Sequence, residues 1–85
     1  MYQIEFEAEA SKALQRLQRN VARRIWSKIE QLAMDPHARS NNVKRLKGEA
    51  AYRLRVGDWR VLYRLEEKRL VILVLKIRPR SSAYD

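Results

Sequence analysis

Apolar and polar positions change period along this chain, and each change marks a new element. "YQIEF" at 2–6 alternates, with Tyr2, Ile4 and Phe6 on one side, as a half-buried strand requires. From about Ala8 to Leu17 the apolar residues Ala10, Ala13, Leu14 and Leu17 recur at helical spacing. After Asn20, read as an N-cap, Val21, Ala22, Ile25, Trp26, Ile29, Leu32 and Ala33 form a broader stripe, so the spacing predicts a second helix joined to the first by a tight turn near "QRN". "MDPHARSNN" then holds a proline that stops the helix and a polar cluster without a period, which reads as a loop leading into the basic "VKRLKGEA".

Alternation returns at 51–56, 59–66 and 69–77, and the last of these segments is almost continuously apolar, as an interior strand buried on both faces should be. Connections as short as "GD" and "EEK" permit only antiparallel neighbours among the three. The predicted fold class is α/β, of the α+β kind: an N-terminal strand, a helical hairpin, then three antiparallel strands forming one sheet with the helices packed on one face. No linker, repeat or low-complexity segment interrupts residues 1–85, which are expected to form a single domain.

The register of the central hairpin follows from burial. A two-residue loop at Gly57-Asp58, with glycine supplying the positive φ of a primed turn, sets Val56 opposite Trp59, Arg55 opposite Arg60, Leu54 opposite Val61 and Tyr52 opposite Tyr63. A three-residue loop would flip one strand and drive arginines into the core. The consequence is that Arg53, Arg55, Arg60 and Arg64 share one face, with Arg55 and Arg60 in a like-charge juxtaposition that is mildly destabilising by itself. Solvent faces ordinarily mix signs, whereas this one carries no acidic residue until Glu66.

Composition sharpens this picture. Nineteen Lys and Arg against ten Asp and Glu give a net charge of +9, which favours an anionic partner such as nucleic acid or an acidic protein. The absence of cysteine excludes disulfides, thiolate metal sites and thiol nucleophiles. The N-terminal "MYQIEFEAEA" is acidic where a secretory signal is basic, and the apolar run "LVILVL" is too short to span a bilayer. These features predict a soluble cytoplasmic protein with no membrane partner.

More cations flank the hairpin: Lys44, Arg45 and Lys47 before it, Lys76, Arg78 and Arg80 after it, with Tyr84 close behind. Arginine's planar fork binds two phosphate oxygens at once, and several forks in one site would stabilise the charge that develops during phosphoryl transfer. Such a set could bind RNA or help to cut it. Metal-free RNA cleavage through the 2′-OH needs a proton acceptor, a donor for the leaving 5′-oxygen and positive charge between them. His37 is the lone histidine and falls in the loop after the second helix, so a two-histidine mechanism is impossible and Lys, Arg or Tyr must serve. Tyr84 is a candidate acid or base if nearby cations favour its phenolate, and a candidate base-stacking platform otherwise. Trp26 and Trp59 read as packing residues. No metal-ligand spacing, glycine-rich phosphate loop or nucleophile elbow is present, so no metal and no cofactor is expected.

The stretch "VKRLKGEAAYRLRVGDWRVLYRLEEKRLVILVLKIRPRSSAY", with the N-terminal strand and helical hairpin before it, resembles the RelE family of toxins from bacterial and archaeal toxin–antitoxin pairs. A "KxLKG" element, then "YRLRVGDWRVLY", then an apolar strand ending in a basic segment and a tyrosine carry the resemblance through their order and spacing. It implies a ribosome-dependent endoribonuclease that cuts mRNA and so inhibits translation, blocked by a cognate antitoxin, with operator DNA as a further partner of the toxin–antitoxin complex. It also implies catalytic roles for Arg53, Arg55, Arg60, Arg80 and Tyr84, with Arg78 competing with Arg80 and Lys47 as the basic residue beside the loop glycine; Lys44, Arg45, Lys47, Arg64, Lys76 and Arg78 are read as RNA-binding residues from their charge around the hairpin. The sequence departs from the best-known members in carrying arginines, not lysines, at positions 53 and 55; these stay charged and serve charge stabilisation better than base catalysis. The alternative is the related ParE branch, which shares the fold and resembles inhibitors of DNA gyrase.

Overall fold

The computed structural model describes residues 1–38, 40–46 and 51–82. Strand β1 (Gln3–Phe6) runs into helix α1 (Ala8–Arg16), followed by α2 (Arg19–Met34), β2 (Val43–Arg45), β3 (Ala51–Val56), β4 (Trp59–Glu66), β5 (Val71–Pro79) and a short 3₁₀ helix at Arg80–Ser82. The strands form one sheet in the order β1-β5-β4-β3-β2. Among the described residues no helix is long and apolar enough to cross a membrane.

The α+β class and the helical hairpin on one face hold, but the sheet is mixed and has five strands. The N-terminal strand lies parallel to β5, pairing Gln3 with Val71 through Phe6 with Val74. Parallel neighbours need a long crossover, and the α1–α2 hairpin supplies it. The basic "VKR", to which the sequence reading assigns no element, is β2, an antiparallel edge that pairs Val43 with Leu54 and Arg45 with Tyr52. Its pattern is too short and too charged to announce a strand; pairing with β3 makes it one.

Helix α2 starts at Arg19 with Gln18 as N-cap, so Asn20 lies in its first turn and does not cap it. Leu17 and Gln18 are both extended (ψ 153° and 147°), and these two residues reverse the chain between the helices. The last strand begins at Val71, later than the apolar pattern suggests, because Glu67–Leu70 form the turn and Leu70 takes a left-handed conformation (φ 53°).

The core lies between the helices and one face of the sheet. Ala10, Ile25, Ile29, Leu32 and Ala33 from the helices meet Leu54, Val56, Val61, Tyr63, Ile72, Val74 and Ile77 from the strands. The β3–β4 register is the one alternation requires, from Ala51 opposite Arg64 to Val56 opposite Trp59. Gly57 takes the positive φ (58°) of the turn. Trp59 packs against the core, while Trp26, 39% exposed, stacks on Phe6 with ring centroids 5.6 Å apart.

Strand β5 carries the feature that decides the other face. Leu62 pairs with Lys76 but Tyr63 pairs with Val74, so Leu75 is an extra residue, a β-bulge. Core residues consequently step from Val74 to Ile77. Strict alternation from Ile72 and Val74 would have sent Lys76 and Arg78 into the core; the bulge turns both to the face of Arg60.

Candidate nucleic-acid interface

Two cross-strand rows build the cationic face. One runs Lys44–Arg53–Leu62–Lys76 over β2, β3, β4 and β5. The next runs Arg55–Arg60–Arg78 over β3, β4 and β5, and the loop residue Asn42 extends it beyond Arg55. Arg64, exposed, stands one row further along, opposite Ala51 and Leu73. Arg45 is not part of this surface: it pairs with Tyr52, whose ring belongs to the core side. Lys47 and Tyr84 lie outside the described residues.

The like-charge pair predicted at Arg55 and Arg60 exists in register, and its side chains part. Arg55 is exposed and its Nη2 donates to Asn42 Oδ1 at 3.3 Å, while its backbone N–H donates to Asn42 O at 2.7 Å. Arg60 is 4% exposed and turns toward the β3–β4 loop, where Nη1 donates to Gly57 O at 3.0 Å and to Trp59 O at 2.9 Å. Its Nε is buried without a hydrogen-bond partner. Neutral carbonyl and amide oxygens therefore receive both guanidinium groups, so these partners cancel neither charge.

Arg78 and Arg80, which compete in the sequence reading, occupy different settings. Arg78 Nη2 reaches past the end of β1 to Glu9 Oε1 at 3.4 Å, a partly exposed ion pair. Arg80 is exposed at the start of the 3₁₀ helix, and its backbone N–H donates to Asp58 O at 2.8 Å. The C-terminal segment is thereby attached to the tip of the β3–β4 hairpin.

The titratable groups with displaced pKa values sit elsewhere. Tyr63 is 1% exposed on the core side, stacked on Tyr52 with centroids 5.4 Å apart, and its hydroxyl has no hydrogen-bond partner. Burial, and secondarily Tyr52, raise its pKa far above the usual phenol value. Tyr2 is raised by its hydrogen bond to Glu67 Oε2 (2.5 Å), and then by desolvation and by the same carboxylate's charge. Glu67 Oε1 also meets His37 Nε2 at 3.1 Å. The lone histidine thus joins the loop after α2 to the β4–β5 turn, away from the cationic rows.

Sequence reasoning did not find Asn42, which holds Arg55 at both backbone and side chain, nor the carbonyls that hold Arg60. A polar residue in an aperiodic loop gives no sign of its partner thirteen positions downstream.

The fold is shared with known toxins. A family model described as "ParE toxin of type II toxin-antitoxin system, parDE" matches residues 4–84. A structure of the archaeal RelE–RelB complex from Pyrococcus horikoshii contains a chain 35% identical to this one, covering 96% of this chain and 98% of that one with a TM-score of 0.81. The chain belongs to the RelE/ParE superfamily of type II toxin–antitoxin toxins. A "Putative RelE-like toxin protein" of Escherichia coli is 27% identical over 99% of this chain and 90% of its own length. The isolated Escherichia coli RelE toxin matches the fold, with a TM-score of 0.82 at 21% identity over 99% of this chain and 92% of that one.

Proposed function

We propose that this toxin is a ribosome-dependent mRNA endoribonuclease acting in the cytoplasm, held inactive by a cognate antitoxin. The observation that carries the reading is the row Arg55–Arg60–Arg78, three guanidinium-bearing residues on adjacent strands, flanked by Arg53, Lys44 and Lys76 and by Arg80 at the hairpin tip. Cations set side by side lower stability unless an anion joins them, and RNA phosphates have the matching charge and spacing. Arg53, Arg55, Arg60 and Arg80 would concentrate positive charge around the scissile phosphate and stabilise the dianionic transition state. Because arginine remains protonated, proton transfer from the 2′-OH falls to another group, and Tyr84 is the residue assigned to it. The antitoxin would be acidic or amphipathic where it covers this face; the similarity of the chain to one solved in an archaeal RelE–RelB complex supports such a partner.

The test is 5′-end mapping of messenger RNA in a translating extract given purified toxin. New ends inside translated messages, absent with Tyr84→Ala and Arg55→Ala, are expected. A second reading follows from the family model carrying the ParE name: a gyrase-binding toxin without nuclease activity. Inhibition of DNA supercoiling with messages left whole would establish that reading and refute the first.

A further inference from the structure

The ion pairs among the described residues differ in what they hold. Arg69–Glu5 and His37–Glu67 tie the β4–β5 turn to β1 and to the loop after α2. Arg78–Glu9 instead engages an arginine of the cationic face. Its place follows from where β1 ends. The parallel pairing of β1 with β5 stops at Phe6 opposite Val74, and the backbone N–H of Glu7 donates to Val74 O at 2.8 Å as the last rung. The chain then turns into α1, so the part of β5 that holds Lys76 and Arg78 has no described strand beside it on that flank. Glu9, in the first turn of α1, is the neighbour there: Arg78 Nη2 donates to its Oε1 at 3.4 Å.

On its other flank Arg78 faces Arg60 in register. Between a cation on one side and a carboxylate on the other, its guanidinium goes to the carboxylate. The bond is long and the Glu9 side chain is 61% exposed, so the pair contributes little to folding and is readily opened. A carboxylate in the first turn of a helix is favoured by the helix dipole whether or not Arg78 meets it. Glu9 is thus an anion anchored at the border of the face, while Arg78 is free to exchange it for another oxyanion. Nη2 takes part in both of the two-pronged grips that a guanidinium offers a phosphate, so the carboxylate and a phosphate compete for it.

We propose that Glu9 is a built-in competitor of the phosphate: its carboxylate occupies Arg78 in the free toxin and yields it when an oxyanion binds. That the oxyanion is an RNA phosphate rests on the proposed function; the competition for Arg78 does not.

Titration of the free toxin with inorganic pyrophosphate, followed by NMR at the Arg78 side-chain N–H groups, tests the competition. Glu9→Gln keeps the shape of the side chain and removes its charge. It should tighten pyrophosphate binding at Arg78 by about 1.5- to 5-fold, the range in which an exposed ion pair acts. Glu5→Gln removes the same charge from the pair with Arg69 and should leave binding at Arg78 unchanged. Unchanged or weaker binding in Glu9→Gln, or equal tightening in Glu5→Gln, overturns the proposal.

Binding to a single-stranded RNA oligonucleotide extends the test to the proposed substrate. Each phosphate contact contributes about 0.7 to the log–log salt slope, and in the wild type part of the Arg78 contribution is returned when the released Glu9 takes up a cation. Glu9→Gln should therefore steepen the slope by up to about 0.7 and tighten binding, and in an Arg78→Ala background it should do neither. An equal gain with and without Arg78 would show that Glu9 acts through net charge alone and overturns the proposal. A wild-type slope near zero would instead refute the RNA reading of the face, while the pyrophosphate titration still decides the role of Glu9.

Discussion

The two faces of the β3–β4 hairpin are built from alternate residues of the same strands and are governed by opposite demands. On one side Leu54, Val56, Val61 and Tyr63 are buried against α1 and α2. On the other lie Arg53, Arg55, Arg60 and Arg64, of which Arg60 is buried and folds back onto the turn carbonyls. The apolar face stabilises the fold by removing surface from water; the cationic face lowers the stability it could have had and, under the proposed function, gains an anion-binding surface. Neutral acceptors in the turn and at Asn42 make this tolerable, since they accept hydrogen bonds from Arg60 Nη1 and Arg55 Nη2 without cancelling their charge.

Substitution on each face should therefore break a different property. The largest effect is expected in the core: Ile29→Ala, at a fully buried position, should cost about 2–5 kcal/mol, read as a lowered urea midpoint. Arg55→Ala should lower message cleavage by roughly a hundredfold or more. Its unfolding free energy should stay within about 0.5 kcal/mol of wild type. If that variant lost stability like Ile29→Ala, the division between the faces would be wrong.

Tyr63 is the exception on the apolar face, a buried hydroxyl with no hydrogen-bond partner. Tyr63→Phe should raise stability by about 1 kcal/mol or more, because it removes a desolvated polar group and keeps the ring stacked on Tyr52. Its raised pKa also gives a pH dependence. Above pH ~10 the unfolded chain releases the phenolic proton and the folded protein retains it, so stability present below that pH is lost as pH rises. Denaturant titrations between neutral and strongly alkaline pH should show a shallower decline for Tyr63→Phe than for wild type.

The smallest predicted effect distinguishes neighbours on the edge strand. Lys44 pairs with Arg53 on the cationic face and Arg45 pairs with Tyr52 on the other. Lys44→Ala should lower the salt slope of RNA binding by about 0.7, and Arg45→Ala should leave it unchanged. Equal losses would mean that RNA wraps the edge of the sheet.

The hairpin was legible in the sequence because its information is local. A two-residue loop with glycine, flanked by alternating side chains, leaves one register that buries the apolar set, and every cross-strand pair from Ala51 to Val56 follows. The parallel seat of β1 was not legible, because "QIEF" pairs with a strand far along the chain and alternation carries no direction. Nor was β2, whose three residues owe their conformation to β3.

The sequence by itself determined the number of helices, the central hairpin and the collection of arginines on one of its faces, since periodicity and burial act over a few residues. Only the tertiary structure decided which outlying cations join them. The bulge at Leu75 turned Lys76 and Arg78 to that face, edge pairing sent Arg45 to the other, and burial of Arg60 on the turn carbonyls separated it from Arg55. Each depends on a contact between segments distant in sequence, where the free energy of packing, not the local period, selects the conformation.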